Sequence, residues 1–218
     1  MTVAKKVVII GDSHVEALGP RLMRLLPGVG LQPLGYTARR GWSEARYKAA
    51  GDVRAFARAH GVPDVVVFSL GGNNQNFNAT TYRGTVETLL TAARRAGASQ
   101  IVWVGPASGT PSVSAAAADA AARHQRTAEL QATLMPTLGV HWVDSRPLTL
   151  GGNAPDGVHF TRTGYDTWAT SLVHELAHGI AVAPMRGGSQ GTGTIIVPVL
   201  ILLVAAGVFG ATVFLSGR

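Results

Sequence analysis

Four short runs, residues 6–10, 65–70, 101–104 and 140–143, are nearly continuous in β-branched and other apolar residues. Runs of that length and character are typical of strands covered on both faces of a parallel sheet. Between them lie segments of helical character, residues 14–26, 43–60, 80–96 and the Ala-rich 114–138, and a last one covers about 163–180. Strand and helix alternate, which predicts a doubly wound α/β domain of three layers (α/β/α) with a mostly parallel sheet. A weaker run at 31–36 can add a strand. Pro33 has no N–H to donate, so that strand belongs at an edge.

The pattern changes at the end of the chain. Residues 184–193 contain four glycines and no periodic apolar positions, and read as a flexible linker. Residues 194–215 carry no charge, and 17 of these 22 residues are hydrophobic. A helix of that length rises about 33 Å, enough to cross a hydrocarbon core of about 30 Å. The expected organisation is therefore a domain over 1–183, a linker over 184–193, a single apolar, membrane-length helix over 194–215 and a short tail, 216–218. Within the helix, Ala206 with Gly210 and Gly207 with Ala211 form small-xxx-small pairs suited to self-association.

This division explains the composition. The whole chain of 218 residues is 46% hydrophobic and only 14% charged, yet residues 1–186 hold 18 of the 19 basic residues and all 12 acidic ones. The domain is then an ordinary globular one, and the apolar excess belongs to the tail. The formal net charge of +7 invites a nucleic-acid reading, but only Lys5 with Lys6, Arg39 with Arg40 and Arg94 with Arg95 are adjacent basic pairs. No nucleic-acid partner is expected. Zero cysteines remove thiol nucleophiles, disulfide scaffolds and Cys-ligated metal sites. Near the N-terminus only residues 7–10 form an apolar run, shorter than the roughly 7–15 residues of an export signal. The expectation is a single-pass membrane protein with its large domain on the cytoplasmic side.

In a sheet of this kind, reactive groups collect at the carboxyl ends of the strands. Gly11-Asp12-Ser13-His14 follows the first strand, Gly71-Gly72-Asn73-Asn74 the second strong one, and Asp156-Gly157-Val158-His159 comes after the last strand and a loop. Together they bring a hydroxyl, an amide donor and an imidazole with a carboxylate three residues earlier. This set resembles the SGNH (GDSL-type) hydrolases, a superfamily of esterases and lipases with a flavodoxin-like α/β/α fold. GDSH matches the first block, GGNN the third, and DGVH with the following Phe160, Thr161, Gly164 and Tyr165 the fifth. Gly41 within Arg39-Arg40-Gly41-Trp42-Ser43 is the natural candidate for the second block. The resemblance covers roughly residues 5–180.

By position, the resemblance implies Ser13 as nucleophile, His159 as general base and Asp156 as the group that orients His159. It also implies an oxyanion hole made by the backbone N–H of Ser13 and of Gly41 with the side-chain amide of Asn73. A serine hydroxyl needs an imidazole to take its proton, and a carboxylate then stabilises the imidazolium. Two positions depart from the family pattern. Asn74 stands where Asp is usual, which predicts altered loop hydrogen bonding with activity retained. His14 stands where Leu is usual, and an exposed or helix-capping role is expected for it. No metal and no cofactor are implied.

A competing motif is His174-Glu175-Leu176-Ala177-His178, which fits the H-E-x-x-H zinc signature. A catalytic zinc needs a third protein ligand, yet residues 179–218 contain no His, Asp, Glu or Cys, and Ala181 and Pro184 stand where the metzincin extension has Gly and His. The zinc reading is set aside. Asp144 and His141 read as loop-capping and packing residues, Trp42 and Tyr47 as pocket lining or core, and residues 105–114 as a loop that shapes the site. The expected activity is hydrolysis of carboxylic esters, acyl or acetyl, on small molecules, acylated glycans or lipids, through an acyl-serine, by a domain tethered through 194–215. The alternative is a binding or structural component, displayed on a larger assembly such as a virus particle, with secondary or lost activity.

Overall fold

The computed structural model describes residues 3–182. Five strands, β1 (Lys5–Gly11), β2 (Leu31–Ala38), β3 (Val65–Ser69), β4 (Gln100–Val104) and β5 (His141–Val143), form one sheet in the order β2-β1-β3-β4-β5. All four pairings are parallel. The strand order reverses between β1 and β3, which opens a crevice at their carboxyl ends. Six helices cover the sheet: α1 (Ser13–Leu25), α2 (Glu44–Ala50), α3 (Asp52–His60), α4 (Ala79–Arg95), α5 (Ala115–Thr137) and α6 (Arg162–Val182).

Alternation of side chains along the strands splits the core in two. Val7, Ile9, Val65, Val67, Val102 and Val104 face α1 and α6, and pack with Leu18, Leu22, Trp168, Leu172 and Leu176. Val8, Ile10, Val66, Phe68, Ile101 and Trp103 face the other way, against Tyr47, Val53, Tyr82, Val86, Leu90 and Met135 of α2 to α5. Burial on both faces is the reason the strands read as unbroken apolar runs. Each fully buried Val, Leu, Ile or Phe contributes about 1.5–3 kcal/mol of transfer free energy. The result is the flavodoxin-like three-layer arrangement.

Two local readings are sharpened or corrected. The weak run around Pro33 is strand β2 and lies at the sheet edge; its register shifts between Val7 and Val8, so that Leu34 is skipped in the pairing. The helix expected over 43–60 is two helices, because Gly51 adopts a left-handed conformation (φ 67°) that closes α2 and starts α3. The linker (184–193), the apolar helix (194–215) and the tail (216–218) lie outside the described residues. Among the described residues no helix is long and apolar enough to cross a membrane.

Candidate active site

Ser13 is the first residue of α1, directly after β1. Asp12 caps this helix, its Oδ1 accepting from His14 N–H at 3.1 Å. A residue at the first turn of a helix has no intrahelical acceptor for its N–H, so the Ser13 amide is oriented by the fold and not consumed by it. The hydroxyl sits 3.1 Å from His159 Nε2, across 146 positions of sequence. On its far side His159 Nδ1 lies 2.7 Å from Asp156 Oδ2. Hydroxyl, imidazole and carboxylate thus form one continuous hydrogen-bonded chain, which can move a proton away from Ser13 Oγ.

The His159 end is organised by its own loop. Asp156 Oδ1 accepts from the N–H groups of Val158 (3.0 Å) and His159 (2.9 Å). Burial works to raise the Asp156 pKa, but these N–H groups and the His159 ring outweigh it and hold the carboxyl below its ordinary value. Ala154 N–H donates to His159 O (2.7 Å), Gly157 N–H to Ala154 O (2.9 Å), and Asn153 bridges to Phe160. The 105–114 loop leans on this turn through Thr110 N–H to Gly157 O (2.8 Å) and Thr110 Oγ1 to Asn153 Oδ1 (2.9 Å). It therefore supports the turn that carries Asp156 and His159.

Asn73 stands beside Asp12. Its Nδ2 donates to Asp12 Oδ2 and to Trp42 O, both at 3.3 Å. Both contacts are long, so the amide is held at the site without a short bond that a ligand would have to displace. Gly41 occupies the third position of a turn closed by Trp42 N–H to Arg39 O (3.1 Å), and its φ of 66° suits glycine. This turn is anchored to Asn73 through Trp42 O and to α1 by the Arg40–Glu16 ion pair at 2.5 Å. The residues expected to act together are thus brought to one edge of the sheet: Ser13, His159 and Asp156 in direct contact, Asn73 beside them, and Gly41 tied in through its neighbour. Asn74 is buried and accepts from Asn76 N–H while donating to Asn76 O, each at 3.0 Å, so it closes the loop.

His14 corrects the expectation. The cap of α1 is Asp12, and His14 is buried, with Nδ1 3.1 Å from the Tyr165 hydroxyl and its ring among those of His159, Phe160 and Trp168. Burial, followed by the charges of His124 and His159, lowers its pKa to about 3. Burial thus favours its neutral form. His124 of α5, a residue that sequence reasoning passed over, is also buried, bonded at 2.9 Å to Ala107 O and shifted downward by burial. Asp12 goes the other way, pushed up to about 7 by burial against the pull of the His14 N–H. Asp12 and His14 lie in the first motif, whereas no pattern in the sequence marks His124, and only the fold brings it beside them.

The remaining candidates are structural. Tyr47 is fully buried and donates to Gly11 O at 2.6 Å, and Trp42 stacks edge-on against it. Asp144 binds the Arg146 guanidinium at 2.7 and 2.8 Å, and His141 packs beside Gly179 of α6. His174 and His178 are exposed on α6, and among the described residues no group of three His, Cys, Asp or Glu side chains is placed to hold a metal ion.

Residues 9–167 match the model of the GDSL-like lipase/acylhydrolase family. No curated protein matches the chain in sequence. Among solved structures, the chain is similar to a lipase/acylhydrolase from Enterococcus faecalis at 16% identity and a TM-score of 0.62, covering 80% of this chain and 96% of that one. It is similar to a carbohydrate acetylesterase family member from Sinorhizobium meliloti at 18% identity and 0.64, covering 82% and 100%. A third is the M. smegmatis aryl esterase, at 15% identity and 0.63, covering 81% and 100%. At these identities the likeness speaks for the fold, while the family match spans most of the chain and includes Ser13, Asn73, Asp156 and His159. The chain belongs to the GDSL-like lipase/acylhydrolase family, the SGNH hydrolases.

Proposed function

We propose that the protein is a serine esterase that cleaves acetyl or other small acyl esters through an acyl-serine intermediate. The observation that carries this reading is the hydrogen-bonded chain from Asp156 through His159 to Ser13, at 2.7 and 3.1 Å, with the serine at the start of a helix. Family membership supports the reaction class. Descriptions of similar structures as a carbohydrate acetylesterase family member and an aryl esterase favour small acyl groups.

In this mechanism Ser13 Oγ attacks the ester carbonyl carbon while His159 Nε2 takes its proton. The carbonyl oxygen becomes an oxyanion, received by the N–H groups of Ser13 and Gly41 and the Asn73 amide. As the C–O bond to the alcohol breaks, His159 returns the proton to the leaving oxygen. Water then attacks the acyl-serine with His159 again as base, which releases the acid and restores Ser13. Ionised Asp156 fixes the ring with Nδ1–H toward itself and Nε2 toward Ser13. Every proton is handled by His159, so the cycle calls for no metal or cofactor.

The full chain is expected to hydrolyse p-nitrophenyl acetate and to be labelled by a fluorophosphonate, and Ser13→Ala to abolish both. Unchanged activity in that variant would overturn the assignment. Residues 194–215 are proposed to tether the domain to a membrane, which extraction of membranes with alkaline carbonate tests: release of the chain into the soluble fraction would refute it.

A further inference from the structure

The mechanism leaves one charged group at the edge of the site without a task. Arg123 lies on α5, half-buried, and donates through Nε to Gly72 O at 2.9 Å. Gly72 directly precedes Asn73, whose amide touches Asp12, the neighbour of Ser13. Consecutive Cα atoms are about 3.8 Å apart, so the guanidinium is held one residue from the amide that flanks the reacting centre. Nothing else among the described residues accepts from Arg123: it has no carboxylate partner, and Asp119, one turn earlier on the same helix, is exposed and forms no ion pair with it.

A guanidinium has two edges able to form paired hydrogen bonds. Here the Nε–H is spent on a neutral carbonyl, which fixes the plane of the group, while the edge formed by Nη1 and Nη2 is uncommitted among the described residues. That edge matches the two oxygens of a carboxylate. One turn further along α5, Arg126 lies 4.0 Å over the ring of Phe77, in the loop that follows Asn73, and adds a second positive charge on the same side. Across the site, Arg39 and Arg40 are compensated by Asp52 and Glu16.

We infer that Arg123 is a specificity-determining residue that recognises an anionic group, a carboxylate by preference, on the substrate ester. The inference rests on the esterase reading of the same site and narrows it to esters carrying a negative charge near the scissile bond, such as acylated acidic sugars. The orientation imposed by Gly72 O lowers the entropy lost when the guanidinium grips its ligand. Half-burial keeps the interaction partly shielded from salt.

Four esters test this with the full chain: 4-acetoxybenzoate against its methyl ester, which places the charge on the alcohol side, and mono-p-nitrophenyl succinate against its methyl ester, which places it on the acyl side. The quantity read is the ratio of kcat/KM for anionic over neutral ester, so differences in intrinsic reactivity cancel between protein variants. Arg123→Gln is expected to lower that ratio about tenfold for at least one pair, as for a charged hydrogen-bonded pair. Arg123→Lys, which keeps the charge and loses the paired geometry, should fall between. A ratio unchanged for both pairs overturns the inference, even if both activities fall together, because that pattern marks a structural role.

A second arm is independent of turnover. On the Ser13→Ala chain, saturation-transfer NMR should show 4-hydroxybenzoate bound in preference to methyl 4-hydroxybenzoate, a preference lost with Arg123→Gln added. If the native chain cleaves none of the four esters, the esterase reading fails and this comparison still decides the anion site: equal binding of acid and ester refutes it.

Discussion

The hydrogen-bonded chain at the sheet edge has two unlike halves. Ser13 is fixed between β1 and α1, the centre of the fold, and its immediate neighbours Asp12 and His14 are buried. His159 and Asp156 sit on a loop, with 44% and 52% of their side chains exposed, and are oriented by hydrogen bonds within a few residues of themselves. The serine owes its position to the global fold and the base owes its position to a local turn. The buried half should therefore carry the larger share of both the rate and the pH sensitivity of stability.

The largest effect tests that division directly. Ser13→Ala should lower kcat for p-nitrophenyl acetate by about 10⁴–10⁶, leaving the contribution of the oxyanion donors. Asp156→Asn should cost about two orders of magnitude less, since the orienting carboxylate of such a set commonly contributes less than the nucleophile and this one is solvent-screened. Equal losses would mean that the exposed carboxylate is as indispensable as the serine, and the asymmetry would fall. The measurement is kcat at matched pH, with far-UV circular dichroism confirming that both variants fold.

Asn73 belongs to the buried half through Asp12 and Trp42 O. Asn73→Ala removes the proposed oxyanion donor and should lower kcat by about 10²–10³ with a smaller change in KM. A rise in KM at constant kcat would instead place Asn73 in ground-state binding and move it out of the reacting centre.

Much of this was readable in the chain, for identifiable reasons. Strands covered on both faces leave a continuous apolar signal, so residues 65–69 and 101–104 of β3 and β4 were found almost to the residue, and Pro33 correctly marked an edge. The side chains that the fold brings together were legible because each lies in a short motif, Ser13 and Asn73 directly after strands and Asp156 with His159 after a loop beyond the last one. What stayed hidden depends on contacts distant in sequence. The break of residues 43–60 at Gly51 was missed although glycine is a poor helix former and a common helix terminator, because the apolar periodicity runs on across it. His14 next to a cap position reads as an exposed or capping residue, and the approach of His159, Phe160, Tyr165 and Trp168, all distant in sequence, buries it. Arg123 and His124 lie in an alanine-rich helix with no motif, and the packing of α5 against Gly72 and Ala107 alone gives them meaning.

The smallest expected effect concerns stability, and it isolates the buried half. Burial, reinforced by the charges of His124 and His159, lowers the His14 pKa from 6.5 to about 3 in the folded protein. An unfolded chain takes up a proton near pH 6.5 that the folded chain refuses, so stability is lost as pH falls through that value and on toward the folded pKa. Each pH unit in this window costs about 1.4 kcal/mol per group, so between pH 6.5 and 5 His14 accounts for about 2 kcal/mol, or about 4–8 °C in Tm. His124 shifts in the same direction, while Asp12, raised to about 7, opposes both, because its buried acid form favours the folded state as pH falls. Those two are common to the native chain and to His14→Leu, so their contributions largely cancel in the difference. Tyr165, raised by burial to about 12, stays neutral across the window, and the loss of its bond to His14 lowers Tm by the same amount at every pH tested. Thermal unfolding at pH 6.5 and pH 5 should therefore show a Tm drop about 4–8 °C smaller in His14→Leu than in the native chain. An equal drop in the two proteins would mean that His14 accepts its proton while folded. The buried half would then be open to water, and its contrast with the exposed His159 loop would be lost.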